Sequence, residues 1–324
     1  MITDAVGFLT EEGSRRSRRF QPGMVVIANS GWKCGVAKVL GFECCGNDGI
    51  AALENLSAAD PVFLTYWINS QTERLRSQAA AGNEPPNLNT GRIASLCLPL
   101  PHLREQQAIA AALSDADGVV AGLERVIAKK RLIKQGAMQD LLTARRRLPG
   151  FSGEWEVKKL GAALTVRHGR SQKEVEHHSG EYPILATGGQ IGTATRFLCD
   201  KPSVLIGRKG TIDVPRFMDK PFWSVDTLFY TDVHPDYDAK FLFYVFLMVD
   251  WMSYNEASGV PSLNAKTIES IEVQIPKHNE QQAIAAVLSD MDAEIQTLES
   301  RLVKARAVKE GMMQNLLTAR IRLV

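Results

Sequence analysis

One stretch occurs twice in this chain and decides its fold. EQQAIAAALSDADGVVAGLERVIAKKRLIKQGAMQDLLTARRRL at 105–148 returns as EQQAIAAVLSDMDAEIQTLESRLVKARAVKEGMMQNLLTARIRL at 280–323. The copies align without a gap at an offset of 175 positions, and 26 of the 44 positions are identical. Agreement of this kind over a stretch with helical periodicity indicates a duplicated structural unit. We therefore predict a tandem of two like units.

Each copy carries apolar residues at alternating steps of four and three, which is the spacing of a coiled-coil seam. The seam residues are Ile109, Leu113, Val120, Leu123 and Ile127 in the first copy and Ile284, Leu288, Ile295, Leu298 and Leu302 in the second. A lone helix would expose this stripe to water, so we expect the two helices to pack on each other. Like units associate most simply about a twofold axis, which favours an antiparallel pair and a pseudo-twofold tandem repeat.

Two features interrupt the helical pattern. Gly136 lies inside it, and Gly311 repeats this in the second copy. Glycine costs about 1 kcal/mol in a helix interior, so either the helices approach closely there or the duplication simply copied the residue. Pro149 and Gly150 are expected to end the first helix.

The globular part of the second unit has the texture of an α+β domain. Short strands are predicted at 182–186, 203–207 and 271–275, with a helix over 240–252. The sequence divides into a first domain, a first helix, a second domain and a second helix, at residues 1–100, 101–148, 149–275 and 276–324.

The first domain resembles the second from VVIANSG at 25–31, which matches VLIGRKG at 204–210. About 50 residues of the second domain precede this shared motif, against 24 residues in the first. We therefore expect the first domain to be N-terminally shortened relative to the second.

The composition is that of an ordinary globular protein, with 45% hydrophobic and 23% charged residues and a net charge of +2. Affinity for nucleic acid would therefore come from local basic patches. The longest apolar run, 241–249, is about half of the ~20 residues that a membrane span needs. We expect no membrane partner and a cytoplasmic location. The five cysteines lack the paired spacing of a structural zinc site, which predicts reduced thiols and no metal or other cofactor.

Motifs of catalysis are missing from the sequence. It has no Walker loop, no G-x-S-x-G and no H-E-x-x-H. GGQIG at 188–192 lacks dinucleotide-binding spacing, and NEPPN at 83–87 lacks the aromatic residue with which a methyltransferase stacks on a flipped base. The chain is predicted to be non-catalytic.

The variable loops carry side chains suited to reading DNA. Arginine pairs with guanine and asparagine with adenine through two hydrogen bonds, while lysine, serine and threonine also anchor phosphates. The candidate contact residues are Asn29, Ser30, Trp32 and Lys33 in the first domain and Arg167, Arg170, Lys173, Gln190, Arg208, Lys209, Thr211, Ser258 and Ser262 in the second. The alternative is purely structural, a tight turn between strands with a solvated basic tip.

A second loop, at 257–264, leads into the shared part of the repeat, and its counterpart is 81–89. Leu-Asn recurs at 88–89 and 263–264, while the preceding residues vary. We expect the leucine to pack and the asparagine to cap the following segment, which leaves the loop tip for a ligand.

Together these motifs resemble the specificity subunit of type I restriction-modification systems. The resemblance covers nearly the whole chain and depends on EQQ at 105–107 and 280–282, LLTAR at 141–145 and 316–320, and the linker LPGFSGEW at 148–155. It implies an α+β architecture of two globular target-recognition domains that alternate with two long helices in an antiparallel coiled coil.

The resemblance also implies a function and partners. Each domain would read one half of a split target on double-stranded DNA, and methyltransferase (modification) subunits would dock on the helical region. A restriction and translocation subunit would be a further partner, and the cofactors of methylation and cleavage would belong to these partners. Two alternatives stay open, a helical scaffold that only assembles partners and a decoy specificity subunit without DNA recognition of its own.

Overall fold

The computed structural model describes residues 1–79 and 87–323. They form two compact units, one of Met1–Val126 with Leu298–Val324 and one of Ile127–Thr297. Two long helices, at Leu103–Leu141 and His278–Leu316, each contribute one segment to each unit. Most of the tip of the first domain's second candidate loop, residues 81–86, lies outside the described residues.

The first unit contains a small α+β domain followed by the first long helix. Its elements are α1 (Glu11–Arg15), β1 (Arg18–Phe20), β2 (Val25–Ala28), β3 (Ala37–Val39), β4 (Cys44–Gly46), β5 (Ile50–Leu53), α2 (Pro61–Ser70), α3 (Thr72–Ala79), α4 (Thr90–Ala94) and the long α5 (Leu103–Leu141). Strands β3, β2 and β5 form an antiparallel sheet in that order, and β1 pairs with β4. Phe63 and Trp67 on α2 join Val25 and Ile27 on β2 in one buried core.

The second unit contains a larger α+β domain. Its elements are β6 (Glu156–Lys159), α6 (Leu160–Ala163), β7 (Leu164–His168), β8 (Tyr182–Ala186), β9 (Gly189–Ala194), β10 (Ser203–Gly207), β11 (Arg216–Met218), β12 (Trp223–Ser224), β13 (Leu228–Val233), α7 (Ala239–Met248), α8 (Ala265–Ser270), β14 (Glu272–Ile275) and the second long helix α9 (His278–Leu316). The sheets have the strand orders β11-β10-β13-β7, β12-β8-β9 and β14-β6.

The predicted strands of this domain are confirmed as β8, β10 and β14. The predicted helix is present as α7, but it ends at Met248 because Val249 takes an extended conformation. Residues 251–254 form a separate 3-10 turn.

The two domains share a common frame that the sequence echoes predicted. The α2 and α7 helices both begin at an aspartate, and the carboxylates of Asp60 and Asp238 accept backbone N–H groups of the first turn. The α4 and α8 helices begin at Asn89 and Asn264, which cap them in the same way. The leucine before each asparagine is buried, so the predicted roles of the Leu-Asn pair are confirmed.

The frame is more complete in the second domain. Strand β13 is covered on its outer edge by β7 and β14 pairs with β6. Within the described residues of the first domain, β5 is an edge strand, and residues 97–100, which are the counterpart of β14, form no strand. Leu100 is consequently 46% exposed, whereas the equivalent Ile275 is 3% exposed.

Within each unit, ion pairs join one long helix to the other helix or to the segment that follows it. They are Glu105–Arg322, Asp117–Lys309 and Glu124–Arg306 in the first unit and Lys130–Glu294, Lys134–Asp292 and Arg147–Glu280 in the second. In both units the residue numbers rise along one helix as they fall along the other, which confirms the antiparallel pairing.

The seam residues lie at the contact between α5 and α9 or in the adjoining cores. The side chains of Ile109, Leu113, Ile127, Ile284, Leu288 and Ile295 are buried, and those of Val120, Leu123, Leu298 and Leu302 are half-buried. Near its start each helix enters a domain core, where Leu113 packs in one cluster with Phe63 and Leu288 packs in one cluster with Phe241. The helices are therefore anchored to the domains as well as to each other.

The EQQ motif at the start of each helix forms this anchor. The first glutamine is fully buried in both copies, and its side-chain carbonyl accepts the backbone N–H of the aspartate that caps α2 or α7, at 2.7 Å from Gln106 to Asp60 and 2.9 Å from Gln281 to Asp238. The glutamate accepts two hydrogen bonds from an arginine that follows the other helix, at 2.5 and 2.6 Å between Arg147 and Glu280. One short motif thus fixes both the domain and the opposite helix.

The predicted end of the first helix is wrong. Helix α5 ends at Leu141, well before Pro149, because Ala144 takes a left-handed conformation with φ of 55° and the N–H of Arg146 donates to the carbonyl of Asp140. Ala319 repeats this turn with φ of 58°. The interpretation of Gly136 and Gly311 as sites of close helix approach is also wrong, since a Cβ at either position would meet nothing within 4 Å.

Candidate nucleic-acid interface

Two loops of the second domain that the sequence analysis singled out lie side by side. Strand β10 ends at Gly207, where a Cβ would lie 2.1 Å from the carbonyl oxygen of Thr211, so the loop can fold back only over glycine. Lys209 then forms an isolated β-bridge with Ser262. The N–H of Gly210 donates to the carbonyl of Pro261 at 2.9 Å. The loops at 207–211 and 257–264 therefore form one surface.

Arg208 is held in this surface by an acidic partner. Its Nη1 lies 2.7 Å from Oδ1 of Asp226, and its side chain is 29% exposed. Its own N–H donates to the carbonyl of Thr227 at 2.9 Å. A guanidinium has five N–H donors, so one ion pair orients Arg208 without using up its capacity to bind a base edge. A fixed orientation is what bidentate recognition of guanine requires.

A small cleft of about 240 Å³ opens beside Arg208 and Lys209. Its other walls include His168, Glu256 and Asn264. The imidazole of His168 is fixed by an edge-on contact with Phe229 at a centroid distance of 4.9 Å. The cleft is lined by both hydrogen-bond donors and acceptors, which are the groups that pair with the polar edge of a ligand.

The first domain builds its loop on the same backbone frame. The N–H of Leu88 donates to the carbonyl of Asn29 at 2.7 Å, as the N–H of Leu263 donates to the carbonyl of Arg208 at 2.9 Å. Ser30 bridges Asn87 as Lys209 bridges Ser262. The two domains therefore present different side chains at equivalent places.

The side chain of Asn29 hydrogen-bonds to the turn before β5, much as the side chain of Arg208 hydrogen-bonds to the turn before β13. Its Nδ2 donates to the carbonyl of Asp48 at 2.9 Å. Its Oδ1 is buried and has no hydrogen-bond partner among residues 1–79 and 87–323. A buried acceptor without a partner is costly, so a donor supplied by a ligand would be favoured here.

The tip of the first loop is a 3-10 turn at Gly31–Lys33 that exposes both Trp32 and Lys33. Arg76 holds the turn from below, since its Nη2 donates to the carbonyl of Trp32 at 2.8 Å and its Nε to the carbonyl of Cys34 at 3.0 Å. Burial raises the pKa of the Cys34 thiol, which keeps this residue a neutral part of the core.

The remaining candidates are exposed but scattered over the second domain. Arg167 on β7 lies 3.6 Å from Asp232, and Gln190 on β9 donates to the carbonyl of Gly192. Side chains of Arg170, Lys173, Thr211 and Ser258 are exposed. The structure brings Arg208, Lys209 and Ser262 together on adjoining loops, whereas the contacts of Arg167 and Gln190 named above are with other residues.

Sequence reasoning missed the residues that hold the loops. Asp226 and Arg76 do this by contacts with residues 18 and more than 40 positions away in the chain. No local sequence pattern predicts contacts between residues so far apart. The one available signal is that aspartate just before a strand, as at Asp226, is a common turn residue.

Other site chemistries find little support in the described residues. All five cysteines are free, and in 1–79 and 87–323 no three His, Cys, Asp or Glu side chains are placed to hold a metal ion. None of the described helices is both long and apolar enough to cross a bilayer.

Comparison with known proteins matches this arrangement to one family. The family model described as type I restriction modification DNA specificity domain matches residues 11–130 and 152–305. The type I restriction enzyme MjaVIII specificity subunit of Methanocaldococcus jannaschii is 24% identical over 311 residues, which cover 81% of this chain and 71% of that protein. The putative MjaX specificity subunit of the same organism is 23% identical over 299 residues, which cover 83% of this chain and 70% of that protein.

A solved structure has the same fold. The crystal structure of the type I restriction-modification system S subunit from M. genitalium superposes with a TM-score of 0.69 at 17% sequence identity, over 92% of this chain and 83% of that chain.

Proposed function

The chain belongs to the family of type I restriction-modification DNA specificity domains, and on this premise we propose that its two globular domains each read one half of a bipartite DNA target. It is a DNA-target recognition subunit, and specificity subunits of such systems are non-catalytic. The proposal concerns how this chain divides the target between its domains and which residues contact it.

The observation that carries the proposal is the equivalent loop frame with unlike side chains. Asn29 and Ser30 stand in the first domain where Arg208 and Lys209 stand in the second. Asparagine suits adenine, and arginine suits guanine. One frame with two such sets supports the recognition of two different half-sites.

The long helices support a spacing role. We assign target recognition to residues 1–100 and 149–275, and we assign residues 101–148 and 276–324 to a helical region that fixes the distance between the half-sites. Methyltransferase subunits are proposed to dock on this helical region, and a restriction and translocation subunit to join through them. DNA as the ligand makes the cytoplasm the proposed compartment.

Methylome sequencing tests the proposal directly. Cells that produce this chain with its methyltransferase subunits are expected to carry methyl groups at one motif of two parts separated by a fixed spacer. Arg208→Gln is expected to relax or abolish one part of the motif, because a good bidentate contact is worth about 1–3 kcal/mol of discrimination. Asn29→Ala is expected to affect the other part.

A matched control comes from the same domain. Arg196→Gln removes another exposed arginine with an acidic neighbour, Glu174 at 3.9 Å, and should leave the motif unchanged. Methylation without a two-part motif, in the presence of active methyltransferase subunits, would contradict the proposal.

The helical scaffold and the decoy give different results in the same experiment. A scaffold would assemble with methyltransferase subunits but show no DNA preference, and neither Arg208→Gln nor Asn29→Ala would change its behaviour. A decoy that works only as a dimer would be found as two copies by light scattering, whereas a chain with both half-site readers needs one copy.

A further inference from the structure

Trp32 differs from the other tryptophans in the way the fold uses it. It is 96% exposed, whereas Trp67, Trp223 and Trp251 are at most 6% exposed and Trp155 is half-buried against the core of the second domain. A tryptophan that packs in a core or interface removes roughly 150–250 Å² from water. Almost all of that area stays in solvent here, so folding of the domain does not account for the indole.

The backbone beneath Trp32 is nevertheless fixed. Gly31 and Gly35 adopt left-handed conformations with φ of 72° and 82°, which glycine allows at little cost. The N–H of Gly35 donates to the carbonyl of Ala28 at 2.7 Å, and the Arg76 guanidinium donates to the carbonyl of Trp32 at 2.8 Å. The indole therefore projects from a hydrogen-bonded turn into solvent, away from the core of the first domain.

The position of this turn places Trp32 in the candidate DNA-contacting loop of the first domain. It stands two residues after Ser30, and the equivalent position in the second domain is Thr211, two residues after Lys209. Lys33 follows and is exposed, which puts a phosphate-binding charge next to the ring. An aromatic ring with an adjacent cation is the arrangement that stacks on bases while the charge contacts the strand.

Resting on the proposed DNA recognition, we propose that the Trp32 indole enters the base stack of the first half-site and unstacks one step there. The first domain then reads its half-site partly through the ease of this deformation, which is greatest at pyrimidine–purine steps. The second domain, with threonine at the equivalent position, reads its half-site in a stacked duplex.

The experiment uses the chain assembled with its methyltransferase subunits and a duplex that contains the bipartite target. 2-Aminopurine is placed at each position of the first half-site in turn, because its fluorescence rises when its neighbours unstack. Away from the adenine that the methyltransferase subunits flip out, the wild-type complex is expected to raise the fluorescence at one step. Trp32→Thr, which copies the second domain, is expected to abolish the rise and weaken binding about 5- to 150-fold, and Trp32→Phe is expected to retain part of both.

Two further variants make the result specific to stacking. Phe8→Ala removes another aromatic side chain of the first unit that is 90% exposed, and it should change neither signal. Lys33→Ala should lower the dependence of affinity on salt, whereas Trp32→Thr should not, because an indole releases no counterion.

Each failure has its own meaning. Unchanged fluorescence and affinity in Trp32→Thr, with the bipartite target still bound, would overturn the inference and leave the proposed function in place. Loss of assembly with methyltransferase subunits in the absence of DNA would overturn it in favour of a protein contact at Trp32. Absence of any bipartite target would instead contradict the proposed function itself.

Discussion

The two units keep the contacts that anchor their helices and change the loops that face outward. The hydroxyl of Tyr66 donates to Asp117 at 2.6 Å, and the hydroxyl of Tyr244 donates to Asp292 at 2.7 Å. Burial, and next the bond to Asp117, raises the pKa of Tyr66 to about 12. The tyrosine therefore stays a donor at neutral pH.

The loops differ from these anchors in how their positions are specified. A helix anchor needs two particular side chains, so a change at either one breaks it. The recognition loops share backbone hydrogen bonds such as the one from Leu88 to Asn29, while the side chains that support each loop, Arg76 in the first domain and Asp226 in the second, differ between the domains. Side chains at the tips are thus free to differ, and the two domains can read different sequences on one frame.

The largest effect is expected where an anchor is most deeply buried. The Glu280 side chain is 4% exposed, so Arg147→Met would leave its carboxylate buried and unpaired, at a cost of about 3–5 kcal/mol. The matching change in the first unit, Arg322→Met, should cost less, because the Glu105 side chain is 9% exposed and the Arg322 side chain 55% exposed, so water reaches this pair more easily. Urea unfolding of the full chain measures both.

The double variant Arg147→Met with Glu280→Leu is the control for this comparison. It also removes the buried carboxylate that has lost its partner, and should recover much of the lost free energy of unfolding. An equal or greater loss for Arg322→Met than for Arg147→Met would show that burial does not set the difference between the two anchors.

The glutamines of the EQQ motif are expected to give the next largest effect. Gln106 hydrogen-bonds to Asp60, Ala58 and Pro101. Gln281 makes two such bonds within the described part of the chain, to Asp238 and Pro276. Replacement of either glutamine by methionine keeps the side-chain volume but leaves buried backbone groups without hydrogen-bond partners. This lowers the free energy of unfolding by about 1–3 kcal/mol. The loss should be larger at Gln106.

Urea midpoints and hydrogen exchange at the start of α2 and α7 measure this difference. Exchange should accelerate at α2 in Gln106→Met and at α7 in Gln281→Met, each without change in the other domain. Equal acceleration of both helices in either variant would mean that the anchors are not local.

These anchors show what the sequence could predict. The duplicated heptads predict the antiparallel pairing because apolar spacing and like-unit symmetry act over the whole helix. The loop frame that the two domains share was also predictable, from the match of 25–31 with 204–210 and from the recurring Leu-Asn at 88–89 and 263–264. The partners of EQQ were not, since Arg147 and Glu280 are 133 positions apart and neither residue carries a local signal of the other.

The helix ends and the loops mark the limit of prediction. Proline and glycine at 149–150 suggested the end of α5, but an alanine in left-handed conformation ends it at Leu141, and local propensity gives no warning of alanine in that role. The candidate loops were found by their glycines and polar tips. Their joining into one surface, and the pairing of Arg208 with Asp226, depend on tertiary contacts.

The stability that the Glu105–Arg322 ion pair contributes should depend on pH. The hydrogen bond from Arg322 lowers the pKa of Glu105. The pair therefore contributes its full stability above the ordinary glutamate range near 4.3, and loses it as pH falls through the lower folded value. The urea midpoint of wild type should exceed that of Glu105→Gln at pH 6, and the two should converge as pH falls below the ordinary glutamate range. A gap that stays constant with pH would show that the carboxylate does not titrate in this window.

The smallest effects come from two opposite substitutions, one inside α5 and one in the turn that follows it. Gly136 has open space at its Cβ position, so Gly136→Ala should stabilise the chain by about 0.5–1 kcal/mol through helix propensity alone. Ala144→Gly should stabilise it by a few tenths of a kcal/mol, because relief of the left-handed strain is partly offset by the greater freedom of glycine in the unfolded chain. Thermal unfolding of both variants and of the matched pair Gly311→Ala and Ala319→Gly tests whether the two copies respond alike. Destabilisation by Gly136→Ala would favour the close helix approach that the geometry rules out. Destabilisation by Ala144→Gly would mean that this turn is held by the alanine side chain rather than by its backbone.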